Sequence, residues 1–447
     1  MGLIRWSFLG LAVLGAGACA ALGDFASDDP GLAAAPGAFA GRFLAVSDAD
    51  MAGTAYADGA LEPLAEEEDA LILFNGGVPV ASAAASNSVI SWPQVVDVSD
   101  DGRFAFVVET RGQAPRDVEA YDDVYTAFPE GTWLGVFSIG EETLTLRDAR
   151  AQLGSNLQSV EAARGQGYLI IASETPDAEL ITVGIGEDGA IGAVRTFDLD
   201  PEYLENDAER RIRTIHVAPD GVTLAANIAN HRIQFYRLRL DADGQPNGVV
   251  KLGAQTDRIG SRIAVGKWTP DGRHFIITDT NWGDSTLHML TQGPGALTVI
   301  APPQTASDAP RLISRAEVGR SPEGFGISPD GEKIASINME RTYLPNWPFL
   351  SVWQGRRRYS VSLLSFDPAT GMLEETDRIY KAGILPEDVI FDEDGENLAV
   401  AVFHRRKGED RRRGFIDFFS IENGDALVSQ GVTQPVIRGA HDLVRLP

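Results

Sequence analysis

Short apolar runs alternate with polar turns along this chain, and one version of the pattern recurs. It reads as an apolar strand, a turn ending in Asp-Gly, and a second apolar strand. The copies are VVDVSDDGRFAFVVET (95–110), TIHVAPDGVTLAANI (214–228), AVGKWTPDGRHFIITDT (264–280), GFGISPDGEKIASIN (324–338) and DVIFDEDGENLAVAVF (388–403). A sixth copy, SVEAARGQGYLIIASE (159–174), has lost the Asp but keeps Gly167. The copies sit roughly 50–65 residues apart, a period that suits propeller blades. Each Asp-Gly supplies a residue that tolerates positive φ and so closes a hairpin. Further apolar strands follow the hairpins, such as WLGVFSI (133–139), IQFYRLRL (233–240), YSVSLLSF (359–366) and GFIDFFSI (414–421). Four strands per repeat make one blade.

The six copies supply blades 2 to 7. RFLAVSDAD (42–50) and DALILFN (69–75) read as strands of a further blade that lacks an innermost strand, and HDLVRLP (441–447) reads as an innermost strand without successors. Joined, they complete the ring and leave no open edge. The fold expected is therefore all-β: a seven-bladed propeller of four-stranded antiparallel blades over 41–447, closed by the C-terminal strand.

The repeat register also places candidate chemistry. Innermost strands start beside the central channel, on the face where the loops between second and third strands open. Seven residues before the Asp of each turn stand Gln94, Arg213, Ala264, Glu323 and Glu387, with Ser159 in the degenerate copy and His441 on the closing strand. Pro93, Pro322 and Pro386 precede three of them and preset the chain direction. Two carboxylates, a guanidinium and an imidazole at one channel mouth can form a ligand site. They can equally be polar lining satisfied by water and neighbours.

The loops of blades 3, 4 and 5 read as short: SETPDAE, NIANHR and DTNWGDS. Those of blades 1, 2, 6 and 7 read as long and would wall half of the mouth. Blade 1 carries the acidic stretch Asp48 to Asp69, and blade 2 carries RGQAPRDVEAYDDVYTAFPEG (111–131). Blade 6 carries ERTYLPNWPFLSVWQGRRRY (340–359), whose Glu340, Arg341 and Trp347 join the candidate set. Its aromatics either pack as a lid or line a cleft. Blade 7 carries HRRKGEDRRR (404–413), where His404 and Arg405 begin a basic run. That run is either a solvated turn or a grip on an anionic ligand.

Net charge is -26, and the 38 Lys and Arg form no broad basic face, which argues against nucleic-acid binding. The 44% hydrophobic content is ample for a large core. Residues 1–18 read as an export signal: Arg5, an apolar run from Trp6 to Leu14, then Ala16-Gly17-Ala18. Cys19 follows directly and resembles the lipidated cysteine of bacterial lipoproteins, although Ala16 stands where that signal usually has Leu. Lipidation at Cys19, with a membrane tether, and ordinary cleavage near Ala20 are both open. The propeller itself contains no cysteine and needs no disulfide. Residues 19–40 read as a flexible tether. No phosphate loop, zinc helix, CxxC pair, haem motif or GxSxG elbow is present, so neither cofactor nor metal is expected.

The Asp-Gly phrases and the terminal closure resemble the bacterial lactonase-like seven-bladed propellers, a group that spans phosphogluconolactonase, muconate-lactonising cyclases and YVTN-repeat surface proteins. The enzymes of that group carry an Arg-His pair in PRHxxFxPDG. The corresponding segment here is RIRTIHVAPDG: Arg213 is kept, Thr214 stands in place of the His, and His216 lies two residues on. The resemblance implies a lactone hydrolase or cyclase using Arg213, Glu323, Glu387 and His441. The residues themselves favour a monomeric exported propeller that binds a small anionic ligand or a protein partner. Cys19→Ser tests the anchor. If Cys19 is lipidated, wild type partitions with membranes and the variant is released or stays unprocessed; identical fractionation of the two rejects the lipid.

Overall fold

The computed structural model describes residues 37–447 apart from positions within 52–66, 88–91, 115–127, 206–209, 283–290, 345–357 and 406–411. The signal segment, Cys19 and Trp347 lie outside the described residues. Packing begins slightly before the expected boundary at Gly41. Phe39 is fully buried, with its ring 4.9 Å from that of Phe43.

Seven four-stranded antiparallel sheets stand around a central axis, one per repeat. Blade 1 is built from both chain ends. Ala440–Arg445 is its innermost strand and pairs antiparallel with Arg42–Ser47, with Ala45 opposite Leu443 and Phe43 opposite Arg445. Its remaining strands are Ala70–Asn75 and Val78–Ala84. The other innermost strands are Val96–Val98, Leu157–Ala163, Ile212–Val217, Ile263–Trp268, Pro322–Ile327 and Ile384–Phe391, in blades 2 to 7.

The repeated turn has a local cause. Gly102, Gly167, Gly221, Gly272, Gly331 and Gly395 all take φ between 65° and 75°, a region that costs a residue with a Cβ. The Asp before the Gly supplies an acceptor. Asp101 Oδ1 accepts from Arg103 N at 3.1 Å and from Ser99 Oγ at 2.7 Å, and Asp271 Oδ1 accepts likewise from Arg273 N and Thr269 Oγ1. These bonds hold both carboxyls below their ordinary range.

Between blades, buried acids on innermost strands accept the backbone N–H groups of the next strand round the ring. Asp388 Oδ2 takes Leu443 N, and Asp442 Oδ2 takes both Val95 N (2.6 Å) and Val96 N (3.0 Å). Asp97 Oδ2 takes Ala162 N, and Glu161 Oε2 takes Val217 N. Four successive junctions, from blade 7 round to blade 4, are stitched this way. Where blades 6 and 7 meet, glycine replaces the stitch: a Cβ on Gly324 would lie 2.4 Å from Glu387 O.

One loop differs from the sequence expectation. Blade 5 was read as having a short loop, but its third strand is Ala296–Ala301, so the link from Asp279 runs through 280–295. The uninterrupted apolar run ALTVIA takes the place beside Phe275–Asp279. The long loops therefore belong to blades 5, 6, 7, 1 and 2, and the low side of the rim lies at blades 3 and 4.

Removing His441–Pro447 takes away the strand that covers Arg42–Ser47 and the Asp442 acceptor of two amides. The truncated chain should lose several kcal/mol of stability or fail to fold, because a buried strand edge is left unpaired. An unchanged thermal midpoint would refute this closure.

Candidate functional site at the channel mouth

The residues picked by register are almost all buried, and most of them bond within the protein. Gln94 extends from blade 2 and donates from Nε2 to Gly266 O in blade 5 at 3.1 Å. Glu323 and Glu387 sit in adjacent blades, fully buried, and none of their carboxylate oxygens has a hydrogen-bond partner among the described residues. Burial pushes Glu323 up to about 8. Burial and then the Glu323 charge push Glu387 well above the ordinary carboxylate range. Two buried acids held up in this way do not readily ionise together. Next to them Asp388 is raised to about 6, chiefly by burial against the opposing pull of Lys267, whose Nζ lies 3.7 Å away.

Arg213 and His441 take other roles than the register suggested. The Arg213 guanidinium donates to Glu174 Oε1 at 2.9 Å, and both side chains are nearly fully buried. Glu174 also accepts from Arg211, Asn156 and Gln158, so blade 3 and the start of blade 4 are joined through this one carboxylate. His441 Nε2 donates to Asn87 Oδ1 at 2.6 Å. Burial lowers its pKa to about 3, so the ring is neutral and a weak base. No hydrogen bond joins His441 to Glu323 or Glu387 among the described residues. Ala264 and Ser159 complete the ring without charge; Ser159 Oγ accepts Ile215 N.

The loop candidates are likewise engaged. Glu340 accepts from Ser360 Oγ and faces Arg320 at 3.5 Å. Arg341 donates to Gln292 O, and burial and then the Arg320 charge lower its pKa. Arg405 is held by Asp417, which also takes Lys381 and the Tyr359 hydroxyl. His404 Nδ1 lies 2.8 Å from Arg405 O.

Above this ring the mouth is bridged by aromatics. Trp92 from blade 2 and Trp282 from blade 5 approach to 6.3 Å between centroids, and Trp282 meets Tyr343 of blade 6 at 5.2 Å. Trp92 Nε1 donates to Asn230 Oδ1, and Trp282 Nε1 donates to Ser321 Oγ. Met51, Leu61 and Phe128 from the loops of blades 1 and 2 join the same apolar cluster.

Two groupings were not picked from the sequence. The first is around His216. Its Nδ1 lies 2.8 Å from Glu161 Oε1 and its Nε2 lies 2.9 Å from Thr214 Oγ1. Glu161 also accepts Val217 N, so its carboxylate acts as an acceptor toward the ring. The Gln94 amide nitrogen lies 3.1 Å from the same Nδ1, but the carboxylate can only accept, so with the Glu161 bond made the proton sits on Nδ1 and Nε2 receives the Thr214 hydroxyl. The imidazole absent at position 214 thus lies one strand period on, hydrogen-bonded to the residue standing in its place. The second is Asp48, Asp50 and Asp69. These are buried, with one oxygen from each within 4.8 Å of the others, a donor set that suits a hard cation. Burial and then the Asp48 charge push Asp69 well above the carboxylate range.

No protein-family model matches the chain, and no curated protein matches it in sequence. Solved structures do match in fold. A candidate 6-phosphogluconolactonase from Bacteroides fragilis superposes with a TM-score of 0.59 at 15% identity, over 91% of this chain and 98% of its own. A second, from Bacteroides uniformis, gives 0.59 at 15%, over 90% and 99%. The periplasmic gluconolactonase of Pseudomonas aeruginosa gives 0.58 at 17%, over 91% and 100%. The fold is that of the lactonase-type seven-bladed propellers. On this scaffold Arg213 pairs with Glu174.

The Glu323–Glu387 pair sets a pH dependence. Both folded pKa values are raised, so the native state holds protons that the unfolded chain releases above about 4.5. Stability should therefore fall as pH rises from about 4.5 through 8. Glu323→Gln supplies an amide donor to Glu387 and removes one titrating group. The loss of unfolding free energy between pH 5 and pH 8.5, followed by denaturant titration, should shrink by an amount on the order of a few kcal/mol. An identical pH profile in the variant would show that the pair does not set the pH dependence.

Proposed function

We propose that this is an exported propeller that binds a small anionic ligand or a protein partner on its loop-walled face, without hydrolytic chemistry in the channel. One observation carries the reading: the polar ring beneath the Trp92–Trp282 bridge is committed to internal partners. Arg213 serves Glu174, neutral His441 serves Asn87, and burial holds Glu323 and Glu387 toward their neutral forms. The cations near that face that bear on an anion are Arg320 and Arg341, whose mutual repulsion is relieved when an anion lies between them. Export is supported by the signal-like N-terminus and by a neighbour in fold that is a periplasmic protein.

Lactone hydrolysis is the second reading. The Thr214–His216–Glu161 alignment favours it, since a carboxylate-oriented imidazole with Nε2 turned to a hydroxyl is the arrangement of a general base. The fold neighbours named for lactonase activity lend it support at the level of scaffold.

Glucono-lactone hydrolysis above the buffer rate separates the two. The binding reading expects no acceleration by wild type, together with a thermal upshift from at least one small carboxylate that Arg341→Ala diminishes. Turnover that disappears in His216→Asn and Glu161→Gln, with folding intact, would overturn it in favour of the hydrolase.

A further inference from the structure

Within the polar ring, one pair of side chains lacks partners. Glu323 and Glu387 are fully buried, and all four of their carboxylate oxygens go without a hydrogen bond among the described residues. They follow Pro322 and Pro386 at the same register position of neighbouring blades. The two strands pack closely: a Cβ on Gly324, the residue after Glu323, would meet Glu387 O at 2.4 Å and Asp388 Oδ1 at 2.5 Å. A buried acceptor left unpaired is unfavourable, and here four stand together.

A fifth unpaired acceptor stands in the same channel. Gln94 comes from blade 2 and crosses the axis. Its Nε2 donates to Gly266 O of blade 5 at 3.1 Å and lies 3.1 Å from His216 Nδ1 of blade 4. Turning the amide over would set an oxygen against the Gly266 carbonyl, so Oε1 is the free end. That oxygen has no partner, and the residue is only 7% exposed. Hydrogen bonds also tie the strand it reaches to Glu323. The Thr278 hydroxyl accepts Val265 N and donates to Glu323 O, both at 3.0 Å, and Val265 directly precedes Gly266. The Gln94 amide therefore sits against the strand on which Glu323 is docked.

Water reaches the channel from the face of the Asp-Gly turns. Lys267 and Glu161 lie three and two residues past the ring position on their strands and keep 28% and 22% of their side chains exposed, whereas Glu323 and Glu387 keep none. The channel thus ends blind beneath Trp92 and Trp282, at oxygens that accept. The charged groups nearest the pair are already engaged: Asp388 faces Lys267 at 3.7 Å, and Asp442 holds the Val95 and Val96 amides. Carboxylate and amide oxygens suit a hard cation, and two carboxylates with one amide oxygen offer five donors. Water from the open side completes the larger, flexible shell that calcium takes, whereas magnesium demands a stricter octahedron. Among the described residues, the carboxylates and imidazoles that converge in threes are Asp48, Asp50 and Asp69, so the third protein ligand here is the Gln94 amide. We infer that the blind end of the channel binds a calcium ion, held by the carboxylates of Glu323 and Glu387 and by Gln94 Oε1, which ties blades 2, 6 and 7 together. Without the ion, burial keeps the two carboxyls protonated, so ion and protons compete for the same oxygens. This goes beyond the reading above and does not depend on what binds the loop-walled face.

The full chain, freed of divalent ions with EDTA and titrated with calcium chloride, tests the site by calorimetry and thermal midpoint. Saturable binding at one site per chain is expected, with a higher midpoint. Protons should be released, seen as a binding heat that changes with the ionisation enthalpy of the buffer, and affinity should fall at least about tenfold from pH 8.5 to pH 6. Glu323→Gln and Glu387→Gln should each weaken binding at least about tenfold, and Gln94→Leu severalfold, with midpoints in EDTA showing that each variant folds. An absence of saturable binding overturns the inference. So does a midpoint rise matched by sodium chloride at equal ionic strength, which would mean screening of an acidic protein. Binding that survives Glu323→Gln and Glu387→Gln but is lost in Asp69→Asn would give the ion to the Asp48–Asp50–Asp69 set and overturn it as well.

Discussion

The innermost strand of each blade has one edge with no partner strand, and that constraint shapes the centre of this molecule. Its backbone N–H groups face the axis and the next blade, where water has little room. Each must still find an acceptor. Four junctions solve this with a carboxylate: Asp388, Asp442, Asp97 and Glu161 each reach the backbone of the following strand. The solution is electrostatically expensive. Burial raises Asp97, Asp388 and Asp442 even though each accepts an amide, so desolvation outweighs the hydrogen bonds that oppose it. The ring is held by groups that would ionise freely in water.

That cost explains why a charged residue near the axis is weak evidence of chemistry in this fold. Glu323 and Glu387 look like a catalytic pair by position, yet burial favours their protonated forms over the ionised ones. Arg213 looks like an anion hook, yet the Arg213–Glu174 pair is almost inaccessible and joins two blades. Breaking such a pair leaves a buried carboxylate short of compensation, an effect on folding rather than on recognition. The groupings that register did not pick lie elsewhere: the Thr214 hydroxyl aimed at His216, and the Asp48–Asp50–Asp69 set.

The sequence made the fold legible because its signals are local and repeated. An Asp-Gly turn imposes a φ that few residues accept, and six copies set the number of blades that needed closing. The closure itself followed from strand counting, and the pairing of Ala45 with Leu443 is its physical form. The site was less legible because rotational register places backbones, not side chains. Gln94 and Arg213 occupy equivalent positions, yet one donates to Gly266 O and the other turns to Glu174. A usable signal was present and passed over: an acid set among apolar neighbours in each of VVDVS, SVEAA, PEDVIF and HDLVRL, namely Asp97, Glu161, Asp388 and Asp442. An isolated acid in an apolar innermost strand is costly unless it accepts something, and here each accepts the neighbouring backbone. The blade 5 loop was misread for the opposite reason. Nothing local distinguishes its true third strand from other short apolar runs, and only sheet pairing decides.

The comparison with lactonase-type propellers gains meaning from the same physics. At 15–17% identity the scaffold survives because it needs turns, apolar faces and satisfied inner edges, and many sequences supply those. Activity needs particular side chains free to meet a substrate, a stricter demand. In this chain the innermost strand of blade 4 carries Arg213 and Thr214, with an imidazole at His216. That ring has the Glu161 carboxylate and the Gln94 amide at Nδ1 and the Thr214 hydroxyl at Nε2, and Glu161 also ties blade 3 to blade 4. Structural and chemical roles therefore meet in one residue. A change at Glu161 alters blade adhesion and imidazole orientation together, and His216→Asn, which leaves the Glu161–Val217 stitch in place, is the substitution that separates them.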